Sequence, residues 1–195
     1  MIETVLMWIA AYVMGSIPSG LWIGKYLYRT DLRTAGSRNT GATNAYRILG
    51  AKAAILVFFA DFFKGFAAVA LGDPDPLRMV GCAAFAVIGH MWSVFMGFHG
   101  GRGVATGVGV FAYLSPVAAL SAFLVWALMV AWKRIVSLAS IVAALVPPLV
   151  VWWRGEPWEY AVFVAIGSVL VIAKHRDNIV RLWRGEESPI QRGKK

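Results

Sequence analysis

Residues 103–132 read GVATGVGVFAYLSPVAALSAFLVWALMVAW, a run of 30 uncharged and mostly apolar residues. About 20 such residues are enough for a helix to cross the hydrocarbon core of a bilayer, so this run is too long for one upright helix. Ser115-Pro116 lies near its middle, and the residue before a proline disfavours helical backbone. The run therefore predicts two shortened membrane helices joined by a turn at Ser115-Pro116.

The rest of the chain offers five further apolar stretches. They cover residues 4–24, 53–72, 79–98, 135–153 and, as the shortest, 160–173. Hydrophobic residues make up 59% of the 195 positions and charged residues 15%, more apolar side chains than a soluble domain of this size can bury. The first stretch lacks a small-residue cleavage signature and is predicted to be a retained helix. The sequence thus predicts an all-α, polytopic integral membrane protein with seven transmembrane helices, some short, as a single domain over 1–195.

The distribution of Lys and Arg favours dividing the long run, because basic residues near helix ends favour the cytoplasmic side. With a turn at Ser115-Pro116, sixteen basic residues lie on one side of the membrane, and only Arg78 and Arg154 lie on the other. An undivided helix would instead place eight basic residues on the cytoplasmic side and ten on the other side. The N-terminus is therefore predicted outside and the C-terminus in the cytoplasm.

The loop before the second predicted helix is rich in glycines, hydroxyls and amides, and reads GSRNTGATNAYR over residues 36–47. Glycines let backbone N–H groups turn toward an anion, and hydroxyl and amide side chains add neutral donors. It is not a nucleotide P-loop, because Ala42 stands where lysine is required. The loop is a candidate oxyanion site, and a solvated turn with an asparagine helix cap is the alternative.

Three further polar features fall on the same predicted side. Arg102 lies among glycines before the fourth helix, Ser137 and Ser140 share a face of the sixth, and His175 and Asn178 share a face of the tail. Helix N-termini on that side attract phosphate. The structural alternatives are a tight turn, helix packing and a basic helix lying on anionic lipid.

Three ionisable residues lie inside predicted helices: Asp61, Lys64 and His90. Asp61 and His90 are expected roughly 12 Å below the cytoplasmic helix ends. Charges at that depth are costly unless paired, so an Asp61–Lys64 or Asp61–His90 contact is expected whatever the function, and structural pairing is favoured over catalysis. A single cysteine, Cys82, and three scattered histidines offer no disulfide framework and no metal site.

In combination these motifs resemble one family, the bacterial acyl-phosphate:glycerol-3-phosphate acyltransferases, or PlsY family. The resemblance covers nearly the whole chain. It rests on the segments GSIPSG at 15–20, GSRNTGATN at 36–44, DFFKG at 61–65, GH at 89–90, GGRGVAT at 100–106 and HRDN at 175–178. Arg102 stands where family members commonly have lysine, so the positive charge is kept but the shape of the charged group differs.

The resemblance implies transfer of a fatty acyl group from acyl phosphate to the sn-1 hydroxyl of glycerol 3-phosphate, giving lysophosphatidic acid and inorganic phosphate, the first acylation of phospholipid synthesis. It further implies a multi-pass protein of the bacterial cytoplasmic (inner) membrane, with its active site facing the cytoplasm. The expected partners are the two substrates and membrane lipids. No cofactor, metal, nucleic acid or obligatory protein partner is expected.

The expected site residues fall into three groups. Those for acyl phosphate are Ser37, Asn39, Gly41, Thr43 and Asn44. Those for glycerol 3-phosphate are Arg47, Arg102, Ser140, His175 and Asn178. Those expected to be catalytic are His175, Ser37 and Asn39.

No His-x-x-x-x-Asp motif follows any of the three histidines, which excludes the common signature of thioester-using acyltransferases. The expected chemistry is direct attack by the glycerol hydroxyl, with a substrate phosphate oxygen or His175 as the base. Two other classes of protein remain open at this point, a phosphate or organophosphate transporter and a noncatalytic membrane subunit.

Overall fold

The computed structural model describes residues 1–190, and every regular element in that range is a helix. The α-helices are α1 (Ile2–Ser16), α2 (Ser19–Trp22), α3 (Ala42–Leu49), α4 (Ala51–Ala70), α5 (Pro76–Met91), α6 (Val104–Leu114), α7 (Pro116–Lys133), α8 (Val136–Ala144), α9 (Val146–Arg154), α10 (Trp158–Lys174) and α11 (Arg176–Trp183). A π-helix occupies Ile23–Leu27 and a 3-10 helix Val94–Met96. The predicted all-α class is confirmed.

Several of these helices are long and apolar enough to cross a membrane. Within residues 1–190 there are four such spans: Ile2–Leu27, α4, α7, and Val136–Arg154. A fifth is α10, if it is counted together with α11, which leaves it at an angle of 57°. Because α11 is charged, we take the spanning part to end at Lys174. Helices α5 and α6 are apolar but shorter.

The run 103–132 divides where the proline predicts. Pro116 is the first residue of α7, and the Ser115 hydroxyl accepts a hydrogen bond from the Ala118 N–H at 3.4 Å. The same hydroxyl donates to the Glu156 carboxylate at 2.7 Å, which joins this turn to the one between α9 and α10. The predicted turn is confirmed, and α6 and α7 are separate helices that pack together.

Several predicted helices have different bounds in the structure, and two of these differences bear on the site. The stretch 4–24 is interrupted at Ile17, because Pro18 lacks an N–H and forces the residue before it toward extended backbone. The stretch 79–98 is α-helical only to Met91, since the chain then turns back through a short 3-10 helix and left-handed Gly97 and pairs Ser93 with His99. Both interruptions release backbone groups that buried side chains can bind.

Close helix contacts place the walls of the site. Helix α1 lies directly against α5, where a side chain at Gly15 would collide with the backbone of Ala86. Helix α6 lies equally close to α4, because Gly109 faces the Phe62 carbonyl. Helices α5, α6 and α10 share the main apolar core, which includes Val87, Val110 and Phe163. These contacts leave a cavity between α4, α6, α7, α8 and α10.

The basic segments meet at one end of the bundle. The Ile190 N–H donates to the Arg134 carbonyl at 2.7 Å, and the Arg47 guanidinium donates to the Ser188 carbonyl at 3.4 Å. The chain after α11 therefore folds back over the segments that precede α4 and α8. The cavity extends to this end, where Arg47 and Ile190 line it.

Candidate active site

One cavity of about 380 Å³ collects all ten residues that the sequence predicts for the site. They are Ser37, Asn39, Gly41, Thr43, Asn44, Arg47, Arg102, Ser140, His175 and Asn178. These residues come from four separated segments, which the folding of the bundle brings to its basic end. The volume is typical of a small-molecule site.

The glycine-rich loop is partly helical, which corrects the expectation of an irregular loop through residue 47. Helix α3 begins at Ala42, with Gly41 as its N-cap residue. The loop therefore leads into this short helix and not directly into the spanning helix α4, which begins only after Gly50. The side-chain amide oxygen of Asn39 accepts a hydrogen bond from the Gly41 N–H at 2.8 Å, which closes the turn before α3.

Asn44 holds this loop in shape. Its oxygen accepts from the Ser37 N–H at 2.9 Å, and its amide nitrogen donates to the carbonyls of Leu32 and Ala35 at 3.0 and 3.1 Å. Its side chain is buried inside the loop. Asn44 is not a helix cap, since it lies in α3 and its partners precede the helix. Its hydrogen-bonding capacity is largely taken up by the loop.

His175 lies between α10 and α11 and is buried. Its Nδ1 is 2.8 Å from the Val171 carbonyl oxygen, and because a carbonyl only accepts, Nδ1 carries the proton. The other nitrogen, Nε2, keeps a free lone pair. Burial lowers the pKa of His175 to about 4, and the charge of Arg102 also lowers it. His175 is thus a neutral hydrogen-bond acceptor at neutral pH.

Glu187 is a buried acidic residue within this basic end, and the sequence reasoning missed it. Its carboxylate accepts from the Ser137 hydroxyl at 2.7 Å, the Asn178 amide at 2.6 Å and the Arg181 guanidinium at 2.6 Å. Burial raises the pKa of Glu187, but these hydrogen bonds outweigh it and hold that pKa below its ordinary value. The signal in the sequence was a Glu pair in an otherwise basic tail.

Besides His175, Asn178 and Ser140 at the cavity also have hydrogen-bonding capacity to spare. Within residues 1–190 the buried Asn178 oxygen has no hydrogen-bond partner, while the amide nitrogen of the same side chain is bound to Glu187. The Ser140 hydroxyl accepts from the Trp126 indole at 3.3 Å, which leaves its proton available to donate. A buried polar group without a partner is costly, so such atoms are suited to bind a ligand.

The buried ionisable residues form a cluster with both of the expected contacts. Lys64 Nζ lies 2.7 Å from Asp61 Oδ1, and His90 Nδ1 lies 3.6 Å from the same oxygen. Lys64 also donates to the carbonyl of Ile17, at the interruption of the first span, at 2.9 Å. The cluster therefore ties α4 and α5 to that interruption. Asp61 and His90 also reach the cavity wall.

The remaining wall of the cavity is aromatic and aliphatic. Its aromatic members are Phe58, Phe59, Phe111, Phe123, Trp126 and Phe163. Phe59 and Phe123 are 49% and 45% exposed, so both rings present apolar surface that a ligand or lipid can cover.

The fold and the cavity together define a class, an integral membrane protein whose site is polar and basic at one end and apolar at the other. The family model described as Glycerol-3-phosphate acyltransferase matches residues 5–185. The chain belongs to this family.

Individual relatives are similar over nearly their full length. A glycerol-3-phosphate acyltransferase from Synechococcus sp. is 46% identical, over 93% of this chain and 91% of the relative. One from Trichlorobacter lovleyi is 47% identical, over 95% and 97%. The solved structure of PlsY (YgiH), an integral membrane glycerol 3-phosphate acyltransferase in its glycerol 3-phosphate form, has a TM-score of 0.92 and 42% identity, over 96% of each chain. Its lysophosphatidic acid form has a TM-score of 0.89 and 40% identity, over 95% of this chain and 94% of that one.

Proposed function

We propose that this protein transfers a fatty acyl group from acyl phosphate to the sn-1 hydroxyl of glycerol 3-phosphate, giving lysophosphatidic acid and inorganic phosphate. The observation that carries the proposal is the convergence of Ser37, Arg102 and Ser140 on one cavity whose other end is aromatic. Both substrates are phosphate-bearing anions and one has an acyl chain, so a cavity with these two ends suits the pair. The solved relatives in glycerol 3-phosphate and lysophosphatidic acid forms support it.

Acyl phosphate is proposed to bind with its phosphate at the glycine-rich loop. The hydroxyls of Ser37 and Thr43 line the cavity there, beside the first turn of α3. N–H groups of a first turn have no partner within the helix and attract anions. Asn39 and Asn44 serve this site by holding the loop, because their oxygens already accept from backbone N–H groups of the loop.

Glycerol 3-phosphate is proposed to bind at the facing wall. Arg47 and Arg102 supply positive charge for its phosphate, and a guanidinium can bind phosphate with two parallel hydrogen bonds. The free Asn178 oxygen, the Ser140 hydroxyl and His175 Nε2 then remain for the glycerol hydroxyls. An unpaired acceptor favours a ligand with O–H donors over bare phosphate.

The reaction is proposed to be a direct displacement. The sn-1 oxygen forms a bond to the acyl carbon, the bond from that carbon to the phosphate oxygen breaks, and loop donors stabilise the charge that develops. The hydroxyl proton passes to the departing phosphate. A phosphate oxygen, with a pKa of about 6, is a better proton acceptor than a histidine whose pKa is about 4. His175 Nε2 accepts a hydrogen bond from the attacking hydroxyl and orients it.

The proposed membrane arrangement keeps seven crossings, with the N-terminus outside and the C-terminus in the cytoplasm of a bacterial inner membrane. The four long spans, α10 and the shorter α5 and α6 supply the seven. The turns at Ser115 and Glu156 contact each other, and the basic segments meet at the cavity mouth. The positive-inside rule then favours a cytoplasmic mouth, where glycerol 3-phosphate is available.

The test is an assay of the purified protein in detergent with glycerol 3-phosphate and acyl phosphate, acyl-CoA or acyl carrier protein thioester as the donor. Lysophosphatidic acid formed from acyl phosphate alone is expected. Ser37→Ala should lower that rate at least tenfold, while Ser188→Ala, an exposed serine in the tail, should not. Uptake of labelled glycerol 3-phosphate into sealed vesicles without acylation would instead favour a transporter.

A further inference from the structure

Two glycines in the middle of helices line the cavity, although the backbone conformation at neither position requires glycine. They are Gly107 in α6 and Gly167 in α10. Neither has a positive φ, and a Cβ built on either would meet no atom of residues 1–190 within 4 Å. Glycine inside a helix costs about 0.5–1 kcal/mol relative to alanine. What these glycines provide is therefore the space that a side chain would fill.

Other helix glycines of the same bundle have a different explanation. A Cβ at Gly65 would collide with the Thr106 carbonyl, and one at Gly109 would collide with the Phe62 carbonyl. Those two glycines allow α4 and α6 to approach closely. Gly107, only two residues from Gly109, has no such contact and faces the cavity.

On α10, the cavity-facing residues follow a spacing of four. Phe163, Gly167, Val171 and His175 all line the cavity, and residues four apart lie on one face of a helix. The polar end is at His175, and the lining residue of α10 farthest from it is Phe163, about 18 Å away along the helix axis. Gly167 lies one turn before Phe163.

Helix α6 repeats this order. Gly103, Gly107 and Phe111 line the cavity four residues apart, beginning next to Arg102 at the polar end. The rings of Phe111 and Phe163 lie 6.2 Å apart between centroids, and both pack into the main apolar core. Each helix therefore places a glycine one turn before a phenylalanine, and the two phenylalanines lie together at the end of the lined stretch far from Arg102 and His175.

We propose that Gly107 and Gly167 keep open the passage for the acyl chain and that the Phe111–Phe163 pair ends it, so that these positions select acyl-chain length. The occupant is the acyl chain because this passage is continuous with the polar end of the same cavity and is lined by apolar side chains. The proposal rests on the proposed function, since it assigns the tail of the acyl phosphate to this part of the site.

The experiment compares Gly107→Leu and Gly167→Leu with the wild type on octanoyl, lauroyl and palmitoyl phosphate. The ratio of kcat/KM for palmitoyl to octanoyl phosphate should fall roughly tenfold or more in each variant, because one methylene in an apolar pocket is already worth about tenfold. Gly107→Ala and Gly167→Ala should give ratios between those of the wild type and of the corresponding Leu variants. Phe111→Ala should raise the ratio. Ala165→Leu, an exposed position on the same helix as Gly167, should leave it unchanged.

A second measurement does not need turnover. Binding of dodecyl and hexadecyl phosphate is followed by thermal shift of the same purified variants, which also shows that each is folded. The glycine variants should lose the stabilisation by hexadecyl phosphate and keep that by dodecyl phosphate. An equal loss of thermal stabilisation for both alkyl phosphates, or no loss for either, would overturn the proposal that these glycines keep a passage open for the acyl chain. A wild type that binds both alkyl phosphates but makes no lysophosphatidic acid would overturn the proposed reaction instead.

Discussion

Asn178 and Glu187 are joined by a hydrogen bond of 2.6 Å from the amide nitrogen to the carboxylate. A carboxylate only accepts, so this contact fixes which way the amide points and leaves its oxygen buried at the cavity, with no partner in the part of the chain that the structure describes. The same carboxylate binds Ser137 and Arg181. An acidic residue within a basic site thus orients the groups that are proposed to bind substrate.

Replacing Glu187 should disturb both stability and the acceptor site. Glu187→Ala leaves buried donors on Ser137 and Asn178 without their partner, and we expect a loss of about 2 kcal/mol in unfolding free energy. The KM for glycerol 3-phosphate should rise at least tenfold as Asn178 loses its orientation. Thermal unfolding and initial rates measure the two effects. Glu186→Ala, at the exposed neighbouring position, is the control, and equal behaviour of both variants would contradict the prediction.

The protonation of His175 predicts a pH dependence of stability. Burial lowers the pKa of His175 from 6.5 to about 4, so below pH 6.5 the unfolded chain binds a proton that the folded protein does not. This contribution to stability is present above pH 6.5 and is lost as the pH falls toward 4. Wild type should lose about 1.5 kcal/mol more than His175→Asn between pH 6.5 and 5, measured by unfolding in detergent. Parallel curves of unfolding free energy against pH for the wild type and His175→Asn would contradict this prediction.

The buried Asp61–Lys64 pair should be sensitive to removal of one partner and tolerant of removal of both. Asp61→Asn leaves the Lys64 charge in an apolar interior with a backbone carbonyl as its remaining neutral partner, which should cost about 3 kcal/mol or more. The double variant Asp61→Asn/Lys64→Met should recover most of that loss. The test compares the thermal stability of the wild type, Asp61→Asn and the double variant. If the double variant is folded but inactive, the pair also contributes to catalysis.

Arg102 should act mainly through its charge. Arg102→Lys should stay within about tenfold of the wild type in kcat/KM for glycerol 3-phosphate, whereas Arg102→Met should lose roughly a hundredfold. Lys52→Met removes an exposed charge near the start of α4 and should have little effect. Steady-state kinetics at fixed ionic strength provide the comparison. A similar loss in Lys52→Met would indicate a general effect of net charge.

Helix boundaries show which local features a sequence can reveal. Pro116 marks the division between α6 and α7, because a proline acts on its own neighbours. Pro18 acts in the same way on the first span, but its effect was not predicted, since the apolar run continues through it. The early end of α5 at Met91 depends instead on a turn stabilised by pairing of Ser93 with His99.

The sequence by itself determined the helical membrane class, the basic end and the residue types of the site, because hydropathy, charge and glycine-rich loops act locally. Tertiary structure alone decided that Glu187 enters the site, that Asn44 holds the loop, and that Gly107 and Gly167 face open space. Those facts depend on contacts between segments distant in the chain. The type of a residue does not reveal whether backbone, a hydrogen-bond partner or a cavity lies beside it in the folded protein.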